Sequence, residues 1–502
     1  MRRVIAAALV GVVMVIASAH VGSPDVVYDG HAGPYAVRVI VRPPQVVPGL
    51  ADVIVRALDS GVTRIVIRPV YWRAGLAGAP QGDDAKPVAG ALSTYSGQLW
   101  LMARGAYSVY VTAYGAKGSG TAIVPVMSIA TGRLGFSPVL ASLLAVLGVV
   151  LIAGLLSLIH AAAGASLVEP GEAISPARKR RARLITVSAI PVLALMVFGG
   201  ARWWQSVDTA YQRTMYRPPT PSVRVLQQGG QHVLELSTND STSRGMLSGL
   251  IPDHGKIMHL FLISDDGMAT FAHLHPAQID SETFRVQLPS LAPGPYHLFA
   301  DVVTETGSNL TMMSTVTLPA PDPGAAARDS DDAWTRTPTV PRLAAGASAP
   351  LGDGLVLAWV GDTVRMVAGQ PVELRFVVRD ATGREIELRP YLGMQGHAVI
   401  ARSDDSVFVH LHPMGTVSTA AQQVFALRDR GDTTRSGHVK LGSAPPASMA
   451  MPAMPLRIQD SAPLSGAVSF PYEFPKPGRY RLWVQLKPGN QVRTGTFDVI
   501  VH

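Results

Sequence analysis

Two short motifs place pairs of histidines at the same spacing. His273 and His275 lie in the sequence Phe-Ala-His-Leu-His-Pro, and His410 and His412 lie in Phe-Val-His-Leu-His-Pro. Residues two apart on a β-strand leave the same face, so each motif presents two imidazoles side by side. Imidazole is a good ligand for copper, zinc, nickel or iron, and a pair of rings needs one or two more ligands. Each motif therefore predicts part of a metal site.

Another histidine stands one predicted hairpin arm before each motif, His259 in the first case and His397 in the second. Each repeat is thus predicted to present three histidines as a compact cluster. We treat the remaining nearby histidines and thioethers as optional ligands: His254, His297, Met258, Met394 and Met414.

The turn in the later motif predicts how its histidines face one another. Asp404 and Asp405 separate two apolar segments, and Asp favours tight turns. A turn centred between these residues pairs residues whose numbers sum to 809, so that His397 faces His412 across the hairpin. Directly opposed residues share a face of the sheet.

The earlier turn is one residue longer, with Gly267 free to adopt a positive φ. A three-residue loop centred on Gly267 pairs residues whose numbers sum to 534. His259 is then opposite His275, and Phe261 is opposite His273. The extra residue in the turn therefore keeps the three histidines on one face of the sheet. A shift of the strand pairing by one residue would move side chains to the opposite face.

Two other hypotheses fit the same motifs. The histidines would form a metal-free hydrogen-bonded network, with Leu274 and Leu411 in the cores, in a structural or interaction scaffold of an envelope complex. A weaker hypothesis is a metalloenzyme that uses the clusters. Metal analysis of the outer part of the chain separates these hypotheses, because a scaffold contains no metal.

The composition excludes several site classes. The 502 residues include no cysteine, so disulfides, cysteine-based zinc sites and thiol nucleophiles are excluded. The sequence has no P-loop, no Gly-x-Gly-x-x-Gly after a strand, no His-Glu-x-x-His and no Gly-x-Ser-x-Gly. A non-catalytic binding function is therefore favoured. A second hint of copper comes from Met449, Met451 and Met454, because thioethers favour Cu(I).

The two motif regions are predicted to be a duplication. Both contain a histidine, then Ser-Asp-Asp, then Phe-x-His-Leu-His-Pro, and later a Pro-Gly-x-Tyr strand start at Pro293 and Pro477.

The segment Met-His-Leu-Phe-Leu-Ile-Ser and its following motif resemble bacterial exported proteins with immunoglobulin-like modules of the YtkA-like type. The first part of the chain, with Gly33-Pro34-Tyr35, also resembles this type. The resemblance covers about two thirds of the chain, implies β-sandwich modules, and hints at copper handling. Gly396 stands where the earlier repeat has Met258, so a ligand role for Met258 would not be shared.

Two long apolar segments predict membrane helices. Hydrophobic residues make up 47% of the chain and charged residues 16%, which suits a few spans plus globular domains. Residues 136–160 and 184–202 are long enough to cross a bilayer, and Trp203 and Trp204 form an interfacial anchor. The run of Lys and Arg at 178–183 between them predicts a cytoplasmic loop. That run also accounts for part of the net charge of +8, so nucleic-acid binding is not expected.

The remaining segments alternate apolar and polar residues with period two, as in Tyr35–Arg42, and are punctuated by Pro and Gly. The predicted fold class is mainly β, with three immunoglobulin-like β-sandwich domains and two transmembrane helices. The predicted order is a signal peptide at 1–19, an outer β domain at 20–135, a helix at 136–160, a cytoplasmic basic loop at 161–183, a helix at 184–202, a tether at 203–221, outer β domains at 222–318 and 351–502, and a linker at 319–350.

These features together predict a membrane-anchored envelope protein in the cytoplasmic membrane. Its outer domains are expected to bind a metal ion, with copper favoured, or a protein partner.

Overall fold

The structure is a computed structural model that describes residues 25–133, 135, 137–165, 168–169, 172–238, 249–325, 329–361, 365–434, 438–440 and 466–502. The predicted signal peptide and the segment with Met449, Met451 and Met454 lie outside these residues. The described chain is mainly β, with three helices. It divides into one unit of β domains and a separate helical unit over 130–216.

The first domain consists of eight strands whose alternating residues fill its core. In Tyr35–Arg42, for example, Tyr35, Val37, Val39 and Val41 are buried. The hydrogen-bonded order is β1-β2-β3-β6-β5-β4-β7-β8. The strands are β1 Val26–Ala32, β2 Tyr35–Arg42, β3 Gly49–Ala57, β4 Val62–Tyr71, β5 Asp83–Pro87, β6 Thr94–Leu101, β7 Gly105–Gly115 and β8 Gly118–Ser128.

The helical unit contains α1 Pro138–Ala165 and α2 Pro176–Arg213, both long and apolar enough to cross a membrane. Helix α2 begins earlier than the predicted span, so the basic run forms its first turns and not a loop. The reason is local: the Ser175 side chain accepts a hydrogen bond from the backbone of Arg178, and Pro176 takes the first helical position. Helix α2 also continues past Trp204 into the predicted tether.

The second domain has two sheets, of order β14-β15-β10-β9 and β11-β16-β12-β13-β18, with β17 also paired to β16. Strand β18 comes from the predicted linker and pairs with β13, so that segment is part of the domain. The strands are β9 Ser222–Gln228, β10 Gln231–Ser237, β11 Leu250–Ile251, β12 His259–Ser264, β13 Thr270–Leu274, β14 Ala277–Gln278, β15 Thr283–Gln287, β16 Gly294–Thr304, β17 Asn309–Leu318 and β18 Ala333–Arg336.

The third domain also has two sheets, of order β19-β20-β21-β24 and β23-β22-β25-β26. It includes a helix that the sequence analysis did not predict, α3 Thr419–Asp429, capped by Ser418. The strands are β19 Ser348–Gly352, β20 Leu355–Trp359, β21 Pro371–Arg379, β22 His397–Arg402, β23 Phe408–Leu411, β24 Ala467–Glu473, β25 Gly478–Leu486 and β26 Arg493–Val501.

The second and third domains share details that a duplication predicts. In both, the hairpin with the histidine motif lies beside a long strand that begins with Pro-Gly-x-Tyr. The hydroxyl of Tyr296 donates to the Ala292 carbonyl at 2.8 Å, and that of Tyr480 donates to the Lys476 carbonyl at 2.6 Å. The same four-residue backward hydrogen bond thus fixes the start of β16 and of β25.

These two domains pack face to face through the sides of the hairpins that carry the histidines. Aromatic rings interlock across this interface: Phe271 stacks on Trp483 at 4.7 Å, and Phe408 stacks on Phe299 at 4.1 Å. The opposite faces of the hairpins are internal, since Leu411 lies in the third domain's own core and Leu274 is fully buried. Each motif phenylalanine therefore stacks on an aromatic ring of the other domain.

The first domain holds the chain segment that follows the later motif. The backbone of Asp29 donates to the Met414 carbonyl at 2.8 Å, and that of Thr416 donates to the Val27 carbonyl at 2.9 Å. Helix α3 adds Phe425, which packs with Val70 of the first domain. This contact fixes the backbone immediately after His412.

Candidate metal centre

The predicted hairpin registers are confirmed. Phe261 pairs with His273 in β12-β13, and Val399 pairs with His410 in β22-β23. Continuing these registers past the strand ends brings His259 to His275, with ring centroids 5.2 Å apart. It likewise brings His397 to His412, with centroids 5.1 Å apart.

The predicted separate clusters form one group, because the two histidine-bearing faces pack against each other. The ring of His410 lies 5.1 Å from that of His259 and 5.6 Å from that of His273. His254 joins the group at 5.0 Å from His412. The group, called the histidine cluster below, consists of His254, His259, His273, His275, His397, His410 and His412.

The first triad within the cluster is formed by His259, His273 and His275, all from the second domain. One ligating nitrogen of each lies within 4.8 Å of the others. The Nδ1 of His259 and the Nε2 of His273 are 3.0 Å apart. The Nε2 of His275 has no hydrogen-bond partner among the described residues.

The other nitrogen of each ring in this triad faces a protein acceptor. His259 Nε2 lies 3.3 Å from the Asp253 carbonyl. His273 Nδ1 lies 2.7 Å from Gln485 Oε1, and His275 Nδ1 lies 2.9 Å from Asp332 Oδ1. If each of these nitrogens donates, the lone pairs of the three rings converge. Metal-binding histidines are typically oriented in this way.

The second triad combines residues of two domains: His254 of the second domain with His397 and His412 of the third. His412 Nδ1 lies 3.2 Å from the Val417 carbonyl, and its Nε2 has no hydrogen-bond partner in the described chain. Both ring nitrogens of His397 also lack a partner there, although the residue is fully buried. His254 Nε2 makes no hydrogen bond within the described residues and lies 3.5 Å from Asp253 Oδ1.

The seventh histidine, His410, belongs to neither triad and lies between them. Its ring centroid is 4.6 Å from His412 and 5.3 Å from His397, in addition to its contacts with the first triad. Its Nδ1 lies 3.6 Å from Asp301 Oδ2, and its Nε2 is unpartnered among the described residues. His410 is thus available as a further ligand to either triad.

Burial keeps five rings of the cluster neutral. Desolvation lowers the pKa of His259, His273, His397 and His410 well below the usual value, and neighbouring histidines lower it further. Desolvation also lowers the pKa of His412 to about 4. A neutral imidazole is the form that binds a metal ion. At neutral pH these five rings are therefore in the form that can act as metal ligands.

Of the optional ligands, His254 is part of the histidine cluster. Met394 and Met414 pack in the core cluster of the first domain, and the Thr419 hydroxyl lies 3.7 Å from the Met414 sulfur. His297 lies beside the hairpin turns, 3.2 Å from Asp405 and 3.4 Å from Asp265. Met258 is fully buried immediately before β12.

Sequence reasoning missed the residues that orient the rings. Asp332 belongs to the segment predicted as a linker, where its Asp-rich sequence was the available signal. Gln485 and Asp301 are equivalent positions on β25 and β16, opposite His397 and His259. The Tyr391 hydroxyl donates to the Asp331 carbonyl at 3.0 Å and lies 3.2 Å from His273 Nδ1. Except for the contact of Asp332 with His275, these contacts cross between domains. All of them join residues distant in sequence, so no local pattern predicts them.

Residues 221–319, 351–441 and 450–502 match a family model described as a domain of unknown function, DUF8832. These segments include both domains that supply the histidine cluster. A comparison with curated proteins finds no match. The resemblance to YtkA-like modules stays a prediction, since the family match carries a different description.

Among solved structures, the chain is similar to the native conformation of E. coli alpha-2-macroglobulin at 10% identity and a TM-score of 0.19, covering 95% of this chain and 23% of that one. It is also similar to a Salmonella alpha-2-macroglobulin mutant at 11% identity and a TM-score of 0.17, with 95% and 23% coverage. A tetra-tandem repeat from the extending region of a large adhesion protein matches at 10% identity and a TM-score of 0.16, with 91% and 96% coverage. The chain spans about a quarter of the two macroglobulin structures. Similarities this low carry no argument about function.

Proposed function

We propose that this protein is a membrane-anchored envelope protein that binds a transition-metal ion, with copper favoured, in the triad of His259, His273 and His275. The observation that carries the proposal is that three buried ring nitrogens converge while the opposite nitrogens face protein acceptors. A site of three imidazoles with supporting acceptors matches the pattern of protein metal sites.

A purely structural hydrogen-bonded network explains the cluster less well. A buried polar atom without a partner costs about 1–3 kcal/mol. Five of the seven rings have an Nε2 without a hydrogen-bond partner among the described residues, those of His254, His275, His397, His410 and His412. A network evolved for hydrogen bonding would satisfy these atoms, whereas ligands of a metal ion are satisfied by the ion.

Copper is favoured by the donor set. All donors in the triad are imidazoles, which suit copper, zinc, nickel and iron, and among divalent ions of the first row Cu²⁺ binds such nitrogen sites most tightly. The proposed role is binding and not catalysis, because the rings of the triad are at most 8% exposed. This burial admits an ion and leaves little room for a larger substrate.

Metal analysis of the full-length protein in detergent tests the proposal. The purified protein is dialysed against Cu²⁺ or Zn²⁺ and then against buffer, and its metal content is measured by mass spectrometry. The wild type is expected to retain metal, and His275→Ala is expected to lose the ion of the first triad. His297→Ala is the matched control, because this histidine lies at the opposite end of the same interface, 30% exposed.

Thermal unfolding supplies a second measurement. An ion at 100 times its Kd adds about 2.7 kcal/mol to the free energy of unfolding. Copper should therefore raise the Tm of the wild type and of His297→Ala by several degrees. A wild type that retains no metal and shows an unchanged Tm with copper and zinc would contradict metal binding and favour a metal-free scaffold.

We further propose that helices α1 and α2 cross the cytoplasmic membrane, with residues 161–183 inside and the β domains outside. The proposal is supported by the basic residues at the start of α2 and by the length and apolar character of both helices. Reporter fusions at residues 175 and 330 test this topology. An exported reporter at 175 would overturn it.

A further inference from the structure

We propose that the histidine cluster holds a second transition-metal ion, bound by His254, His397 and His412, so that one ion is shared between the second and third domains. This inference rests on the proposed metal binding by the first triad. The nitrogens of His254, His397 and His412 lie within 4.8 Å of one another. Their ring centroids are 5.0 to 5.5 Å apart.

The donors of this second site are unpartnered and enclosed. Both nitrogens of His397 and the Nε2 of His412 make no hydrogen bond with the described residues, and these side chains are 0% and 3% exposed. The Val417 carbonyl orients His412 from the other side. Four buried imidazole nitrogens that lack a hydrogen-bond partner among the described residues, counting that of His254, form a donor set for a cation.

A turn places His254 in this site. Asp253 and Lys256 exchange two backbone hydrogen bonds of 2.9 Å around His254 and Gly255. Both central residues have positive φ, 52° and 81°, as a type I′ turn requires. The Asp253 carboxylate also accepts a hydrogen bond of 3.0 Å from the backbone of Ala420 in α3. The turn is thus tied to the third domain.

The third domain builds the same turn without a ligand. Tyr391 and Met394 exchange two backbone hydrogen bonds around Leu392 and Gly393, whose φ values are 50° and 75°. Leu392 therefore occupies the position equivalent to His254, because each lies five residues before the first histidine of its repeat, His397 or His259. The duplicated turn carries a histidine on one side only, and that histidine completes a triad with the other domain.

Stoichiometry tests the second site. Full-length protein in detergent is loaded with Cu²⁺, dialysed, and analysed for bound copper per chain. The wild type is expected to bind two ions, His254→Leu one, His275→Ala one, and the double variant none. Leu is the matched substitution, because Leu392 shows that this turn accepts it at positive φ. His254→Asn is a second variant with the same expectation, since Asn tolerates positive φ well.

The outcomes separate the two proposals. If the wild type binds one ion and His254→Leu still binds one, the second site does not exist and the first triad stands. If either single variant abolishes all binding, the seven histidines form one site and the inference is overturned. If the wild type binds no metal, both proposals fail.

Discussion

The second and third domains present the same hairpin with different surroundings. In both, three histidines share one face, and the strand beside them supplies a polar residue at the equivalent position, Asp301 or Gln485. The second domain adds His254, where the third has Leu392. The second domain thus supplies a complete triad and part of another, whereas the third supplies only part of one. The comparison fits the predicted duplication, and one turn, with His254 in the second domain and Leu392 in the third, accounts for the difference between the triads.

The largest expected effect is acid destabilisation of the metal-free protein, to which both domains contribute. Unfolded histidine titrates near pH 6.5. Burial lowers the pKa of five cluster histidines, namely His259, His273, His397, His410 and, to about 4, His412. The unfolded state therefore binds more protons below pH 6.5, and the free energy of unfolding falls as pH falls through this window. Each such histidine lowers the free energy of unfolding by about 1.4 kcal/mol for each unit by which the pH falls within this window.

Urea unfolding of the chelator-treated protein at pH 7.0, 6.0 and 5.0 measures this dependence. His412→Gln should reduce the slope by about one proton. A free energy of unfolding that stays constant from pH 7.0 to 5.0 would contradict the prediction, because it would show that the folded and unfolded states take up the same number of protons.

The second prediction concerns the aromatic stacks that cross between the domains. Phe408→Ala removes the ring that stacks on Phe299, and Phe271→Ala removes the ring that stacks on Trp483. Each change should lower the free energy of unfolding by about 3–5 kcal/mol. Ile279→Ala, at a 52% exposed position, is the control and should cost under about 0.5 kcal/mol. A loss confined to one of the two Phe variants would mean that the interface is supported from one domain only.

The third prediction concerns the groups that orient the histidine rings of the two triads. A carboxylate, Asp332, orients His275, whereas a backbone carbonyl orients His412. Asp332→Asn should weaken copper binding at the first triad by about 10- to 100-fold, measured by competition with a chelator. The control is Asp322→Asn, which alters a similar pair with His232 at 2.8 Å outside the cluster. If the wild type and Asp332→Asn bind copper with equal affinity, the Asp332 carboxylate does not support metal binding at the first triad.

The smallest expected effect tests the turn insertion. Deleting Gly267 shortens residues 264–270, which connect the paired positions of β12-β13, to the length of residues 402–407 in the third domain. The register should persist, and the bound metal with it. The deletion should disrupt the hydrogen bonds from Arg481 to the carbonyls of Gly267 and Met268. Their loss should lower the free energy of unfolding by about 1–2 kcal/mol. Loss of copper from this variant would show that the register depends on the extra residue.

Local sequence determined the features that depend on short-range geometry. Alternation and the turns were sufficient to predict both hairpin registers, because side chains on a strand repeat every two residues and a turn fixes the pairing. The apolar segments likewise predicted α1 and α2, although the capping by Ser175 and Pro176 extended α2 beyond its apolar part.

Only the tertiary structure decided that the two histidine faces meet in one cluster. The hairpin of each domain needs a partner for its apolar and aromatic face, and the partner is the other repeat, so six predicted histidines converge with His254. The residues that orient the rings, Asp332 and Gln485, come from segments distant in sequence from the motifs. Contacts of this kind depend on how whole sheets pack, and packing is decided by the complementary shapes of both surfaces, which no local pattern records.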